Sequence, residues 1–277
     1  MDTTKSCQLC GQTPLVEFAV PGRTDFLLCQ QCELYQYGPL PPMECHEDPA
    51  YHQGYEEHYT RKLNTARVRV GRIAGMVPDR KIRILDVGCG VGAILDAARE
   101  RGWDTNGVDV SRRVVSICRD RGFDCQAIDG LELPYPDKSF DVVTAWSVIE
   151  HVADAAETLA EWRRVLRDDG VLVMDTNDAS CLKARLFGKK YKTIWIPGHT
   201  YTFTESNLRA FAERAGLETV HPPFVGRIGN LSFRDQCYAV CYQTQYDVRR
   251  ALRIQKAFQI YLRPVPEAVA QSAQRAA

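Results

Sequence analysis

Residues 81–95 read KIRILDVGCGVGAIL. The run 81–87 is apolar and short enough to be a strand buried on both faces. It ends at Gly88, Gly90 and Gly92, and residues 92–101 then read as a helix. A strand that passes through a glycine-rich turn into a helix is the opening unit of a nucleotide-binding α/β sheet. The alternation continues downstream. Strands are expected at 104–109, 123–129, 140–146 and 170–176, with helices at 112–121, which Ser111 can cap, and 154–167. Elements alternating at such short spacing form a parallel sheet with helices on both faces. The expected fold class is α/β: a Rossmann-like, doubly wound, mostly parallel sheet. Beyond it, Thr204 or Glu205 opens a helix running to Gly216. Residues 217–225 and 236–244 read as a closing strand pair, and 248–262 as helical.

Two carboxylates bracket the glycine loop. Asp86 stands two residues before Gly88, and Asp109 ends the second strand 17 residues after Gly92. A carboxylate there accepts hydrogen bonds from both hydroxyls of a ribose. Asp86 separates cofactor classes by charge. It would repel the pyrophosphate of a dinucleotide held at the loop and attract a ligand carrying an ammonium and a sulfonium. The loop residues Asp86, Gly88, Cys89, Gly90 and Gly92, with Asp109 and Val110, therefore point to S-adenosylmethionine (SAM).

Upstream lie four of the 11 cysteines, as Cys7-x2-Cys10 and Cys29-x2-Cys32 with 18 residues between the pairs. That spacing suits a four-thiolate zinc site. The runs 14–20 and 26–29 read as hairpin strands about a turn at 21–25. A segment this small has little core, so the metal would supply much of its folding energy. Four protein ligands leave no open position, which makes the zinc structural. The stretch Gly38-Pro39-Leu40-Pro41-Pro42 marks a boundary. In residues 51–77, Leu63, Ala66, Val70, Ile73 and Val77 form one apolar helical stripe, and Arg61, Lys62, Arg67, Arg69 and Arg72 read as its solvated face. The expected organisation is a zinc ribbon at 1–45, a helical linker or cap at 46–80, a cofactor domain at 81–245 with a lid at 177–203, and a helical tail at 246–277.

The motifs DVGCGVG (86–92) and GVDVS (107–111) resemble the first two motifs of class I SAM-dependent methyltransferases. The likeness continues through Asp129-Gly130, LPYPDKSFDVVTAWSVIEHV (133–152) and LAEWRRVLRDDGVLVMDT (159–176), and covers about residues 50–225. It implies that Asp86 helps hold the methionine end of SAM, that Asp109 takes the ribose, and that Asp129, Gly130 and Leu131 meet the adenine. It also implies that Trp146 lines the methionine moiety. The stretch IWIPGHTYTFTESNLRAFAERAGLE (194–218) resembles the branch of that family acting on small molecules.

Methyl transfer from a sulfonium is an in-line displacement with a good leaving group, so the protein mainly positions the acceptor and excludes water. A base helps when the acceptor is a hydroxyl, an ammonium or a carbon acid. His151 follows Glu150 just after the fourth strand, and an imidazole titrating near ~6.5 suits that task. His199 and Tyr201 sit behind the Pro197-Gly198 turn and are candidates to line the acceptor pocket as catalytic groups, with His199 the second candidate base. Tyr55, spaced helically with Tyr51 and Tyr59, is a candidate to close over SAM.

Lysine plus arginine and aspartate plus glutamate number 35 each, so the net charge is zero. Nothing in that balance draws the whole chain to polyanions. The ribbon is acidic: Lys5 and Arg23 against Asp2, Glu17, Asp25, Glu33 and Glu44. These signs disfavour a nucleic-acid partner, and the acceptor expected is a sugar, glycan or natural-product intermediate, free or carrier-bound. The alternatives are an rRNA guanine methyltransferase, for which the basic segment 61–83 speaks, and a non-catalytic SAM-binding or zinc-ribbon adaptor. No apolar run approaches the ~20 residues of a membrane span, and the N-terminus lacks a signal-peptide core, so a cytoplasmic location is expected, with a homodimer as one assembly state.

Overall fold

In the computed structural model, residues 6–13, 15–18, 26–37, 59–222 and 233–266 are described. Tyr51, Tyr55 and the turn at 21–25 lie outside them. The central strand β4 (Arg83–Val87) lies between β5 (Asp104–Asp109) and β7 (Phe140–Trp146). The chain runs outward from β4 through β5 to β6 (Asp124–Ala127), then returns across β4 to β7 and β8 (Leu166–Asn177). These five strands pair in parallel. The strand order therefore reverses beside β4, and the crevice outside the carboxyl ends at that point is where ligands bind in such sheets.

Helices cover both faces. They are α1 (Tyr59–Ala74), α2 (Ala93–Arg99), α3 (Arg112–Asp120) and α4 (Ala155–Val165). Ser111 caps α3 by accepting a hydrogen bond from the Val114 amide, as its position predicts. Asp154 caps α4 through the amides of Ala156 and Glu157. The apolar stripe of α1 holds: Ala66, Val70 and Ile73 are buried against β4, α2, β7 and β8, with Leu63 packed alongside. Its polar face is less simple than the sequence suggests. Arg67 pairs at 2.6 Å with Glu100, which caps the C-terminus of α2, and Arg72 is buried with its guanidinium 5.3 Å from the Tyr261 ring.

The far end of the sheet departs from expectation. After α5 (Leu182–Phe187), β9 (Tyr201–Thr202), α6 (Glu205–Arg214) and β10 (Leu217–Val220) comes a 19-residue helix, α7 (Phe233–Ala251). The expected strand at 236–244 is part of this helix. The segment expected as a helical tail instead supplies β11 (Ala257–Pro264), inserted antiparallel between β8 and β10. The sheet thus closes at residue 264, beyond the expected domain end at 245. The cause is burial on both faces of β11: Phe258, Ile260 and Leu262 enter one core and Tyr261 the other. A strand covered on both sides has no polar alternation to announce it.

The N-terminal cysteines lie in the turns beside a small sheet of order β1-β2-β3-β9. Strands β1 (Val16–Glu17) and β2 (Phe26–Leu28) form the expected antiparallel pair. β3 (Tyr35–Tyr37) extends it, and β9, from the segment expected to be an irregular lid, completes it. Cys7, Leu9, Leu15, Cys29 and Leu34 share one hydrophobic core with Ile149, Tyr201, Phe203 and Phe211. The module is thereby built into the domain.

Candidate functional site

The glycine loop turns at the carboxyl end of β4. Gly88 has φ +68°, and a Cβ on it would lie 2.5 Å from Val148 Cγ2, so only glycine lets the loop pass beneath the segment after β7. Asp86 is buried on β4, where its Oδ1 accepts a 2.6 Å hydrogen bond from Thr144 Oγ1. Burial pushes its carboxyl up to about 8. Asp109 braces the loop: one oxygen accepts from the Gly90 amide at 3.0 Å and the other from the Ser111 amide at 2.9 Å. Cys89 is buried beneath the loop with Cys118 and Cys125. Val110 is half-buried, while Asp129, Gly130 and Leu131 are exposed after β6. Asp86, Gly88, Cys89, Gly90, Gly92, Asp109 and Trp146 thus converge at the switch point of the sheet.

Trp146, at the end of β7, has a partner that sequence reasoning missed. The guanidinium of Arg69 lies 3.9 Å from the centroid of its ring and pairs with Asp175 at 2.5 Å. Asp175 also accepts from the Ser147 amide at 2.8 Å. Arg69 reads in sequence as one of several surface arginines on α1. Its partners lie on β7 and β8, 77 and 106 positions further along the chain, and no periodicity connects them. Trp146 Nε1 has no hydrogen-bond partner.

The histidines lie on the segments after β7 and before β9. Glu150 and His151 lie in a short 3-10 turn (Ile149–His151), and His199 precedes β9. The imidazole rings meet edge to face with centroids 4.7 Å apart. His151 Nδ1 donates to the Gly198 carbonyl at 3.0 Å, which leaves the lone pair of the neutral ring on Nε2. His199 is buried with Nδ1 unpartnered, and burial with the neighbouring His151 pushes its imidazole down to about 3. Glu150 is buried with Oε2 unpartnered, and desolvation pushes its carboxyl up to about 8. Tyr201 corrects the expectation that it lines a pocket. It is fully buried, and its hydroxyl donates to the Ala153 carbonyl at 2.8 Å and also contacts the Gln8 side chain.

Among the described residues, three groups converge closely enough to hold an ion, their ligand atoms within 4.8 Å of one another: Cys7, Cys10, Cys29 and Cys32; Cys89, Cys118 and Cys125; and Glu150, His151 and His199. In the first group the sulfurs of Cys7 and Cys32, and of Cys10 and Cys29, are 3.5 Å apart, and all four are free thiols.

A family model described as a methyltransferase domain matches residues 55–222. The chain is 34% identical over 134 residues to 27-O-demethylrifamycin SV methyltransferase of Amycolatopsis mediterranei, covering 44% of this chain and 49% of that one. It is 28% identical over 167 residues to a ubiquinone biosynthesis O-methyltransferase of a Caulobacter species, covering 54% of this chain and 64% of the relative. The chain therefore spans about half to two thirds of the length of these relatives. Among solved structures, a SAM-dependent methyltransferase from Archaeoglobus fulgidus superposes with TM-score 0.53 at 20% identity, covering 76% of this chain and 99% of that one. A methyltransferase complex with its activator from Haloferax volcanii gives 0.55 at 18% identity, covering 78% and 94%. With the family model spanning more than half of the chain, from α1 to the end of β10, the protein belongs to the class I SAM-dependent methyltransferase-domain family.

Proposed function

We propose that the protein transfers the methyl group of SAM to a hydroxyl of a small-molecule acceptor, a sugar, glycan or natural-product intermediate, free or carrier-bound. The observation that carries this reading is the His151–His199 pair, whose rings meet 4.7 Å apart and whose first member stands in the turn that follows β7 at the carboxyl end of the sheet. The two relatives named above, both O-methyltransferases, support oxygen as the acceptor atom.

The residues fit SAM by shape and by hydrogen bonding. Asp86 and Asp109 give the cradle two carboxyl groups, that of Asp86 keeping its proton near neutral pH, and Gly88 keeps the loop close under Val148. Asp109 would take the ribose hydroxyls, Asp129, Gly130 and Leu131 the adenine, and Trp146 the methionine end. When bound, SAM supplies an electrophilic methyl on a sulfonium. His151, held by the Gly198 carbonyl through Nδ1, receives the hydroxyl proton at Nε2 as the acceptor oxygen attacks. His199, pushed down to about 3, is too weak a base near neutral pH and orients the acceptor as a neutral imidazole. Trp146 and the side chains around the crevice exclude water from the reacting centre.

The four thiols of the N-terminal module would hold a structural zinc. Zinc–sulfur bonds of ~2.3 Å in a tetrahedron place the sulfurs ~3.8 Å apart, close to the observed 3.5 Å separations. Calorimetric titration with SAM and with its demethylated product, followed by methyl transfer to hydroxylated acceptors, tests the reading. His151→Asn should lower kcat by ~10²-fold or more and leave SAM affinity unchanged. Failure of both SAM and its product to bind ends the proposal.

A further inference from the structure

We propose that the N-terminal cysteine module positions the acceptor side of the site, so that metal at the four thiolates sets the placement of His151 and His199. The inference rests on the reading of those histidines as the acceptor site and adds a control on it. The link is a continuous set of hydrogen bonds. β3 of the module pairs with β9, Tyr35 opposite Thr202 and Gln36 opposite Tyr201. The Tyr37 amide extends that ladder by donating to the Thr200 carbonyl at 2.8 Å. The Thr200 amide in turn donates to the Glu150 carbonyl at 2.6 Å. Thr200 directly follows His199, and Glu150 directly precedes His151. One residue thus joins the module to both histidine-bearing segments.

A second link runs through side chains. The Tyr201 hydroxyl bridges Gln8 and the Ala153 carbonyl, two residues after His151. Gln8 lies between Cys7 and Cys10, and its amide donates to Gln36 Oε1 at 3.2 Å. The path from thiolate to histidine is therefore short on both routes.

Two features make the coupling dependent on metal. β9 has two residues and, within its sheet, pairs among the described residues with β3 alone. A strand that short does not persist without its partner. The described strands of the module have two or three residues, so the ladder alone orders them weakly beside the core they share with the domain, and a metal across the two cysteine turns would supply much of their order. Loss of the ion would free β3 and Gln8, then β9, and then the spacing between His199 and the turn bearing His151. The SAM cradle is built from β4, β5 and β7, none of which pairs with the module. The coupling should therefore act on acceptor placement and spare cofactor binding. Tyr201 is a positioning residue in this scheme.

The experiment compares zinc-loaded and chelator-stripped full-length protein by hydrogen exchange, zinc content, SAM calorimetry and acceptor kinetics, with Tyr201→Phe and Gln8→Ala as variants that leave every thiol in place. Stripping should speed exchange at 199–203 and 150–153 at least tenfold, with exchange across β4 and β5 and the SAM affinity within twofold. Tyr201→Phe and Gln8→Ala should raise the acceptor KM severalfold in zinc-loaded protein and leave SAM affinity unchanged. No zinc on the purified protein at the four thiols, unchanged exchange at 199–203 after stripping, or loss of SAM binding together with the module would each overturn the proposal. If no hydroxylated acceptor is methylated and the exchange still responds to zinc, the coupling stands and the methyl-transfer reading fails.

Discussion

Asp109 serves two partners at once: it holds the Gly90 amide and caps the turn at Ser111. In the proposed complex it also takes the ribose. Asp109→Ala should weaken SAM binding at least tenfold by calorimetry and leave the far-ultraviolet spectrum unchanged. Retained affinity would remove the ribose from this position. Arg69 acts by stacking on Trp146 while paired to Asp175. His199 carries a pH signature. Its folded-state pKa lies near 3, below the ordinary imidazole value, so the unfolded chain binds the extra proton first as pH falls. Its contribution is intact above about 6.5 and is lost as pH falls toward 3, by at most tenfold in the folding constant per pH unit. Asp86 and Glu150, both raised to about 8, act in the opposite sense: each holds its proton in the folded state, and stability falls as pH rises from about 4 toward 8. The His199 part is isolated by urea denaturation of His199→Asn beside the parent at pH 5 and pH 7. The parent should lose more stability than the variant on going to pH 5. Equal losses would place a hydrated, freely titrating ring at 199.

Among the elements, β11 has the greatest consequence for the fold. It pairs with β8 over six residue positions and with β10 over four, and its side chains reach cores on both faces of the sheet. Leu262 is fully buried. Leu262→Ala should destabilise the protein by about 2–5 kcal/mol in chemical denaturation, and a value near that of a surface site would mean that the strand is dispensable. Helix α1 is the opposite case. Its apolar stripe is legible from spacing, and its ion pair with the C-terminal cap of α2 is not. The strand β9 is too short to be found by pattern at all, because its ladder partner in the small sheet is 165 positions or more earlier in the chain.

Across the whole molecule, the neutral net charge conceals internal pairing. Four of the eight basic residues in the segment that speaks for an RNA reading are occupied: Arg67 by Glu100, Arg69 by Asp175, Arg80 by Asp141 at 2.7 Å and Asp169 at 3.0 Å, and Arg83 by Asp104 at 3.7 Å. Arginines engaged by carboxylates release few counterions from a phosphate backbone. Ribosomal RNA should therefore bind weakly even at low salt in a filter or polarisation assay. Tight binding with a steep salt dependence would restore the rRNA methyltransferase alternative. No helix among the described residues is long and apolar enough to cross a membrane.

The sequence by itself determined the parallel half of the sheet, the cofactor loop with Asp86 and Asp109, the capping of α3 by Ser111 and the pairing of β1 with β2. Each of these is written in contiguous residues, where spacing, glycine placement and local hydrogen bonding act within a few positions. Long-range packing alone makes residues 257–264 an interior strand between β8 and β10, buries Tyr201 away from any pocket, brings Arg69 to Trp146, and joins the cysteine module to the sheet strand beside His199. These rest on burial and pairing between residues far apart in the chain. A segment covered on both faces, or a strand of two residues, carries no local period from which its partner can be read.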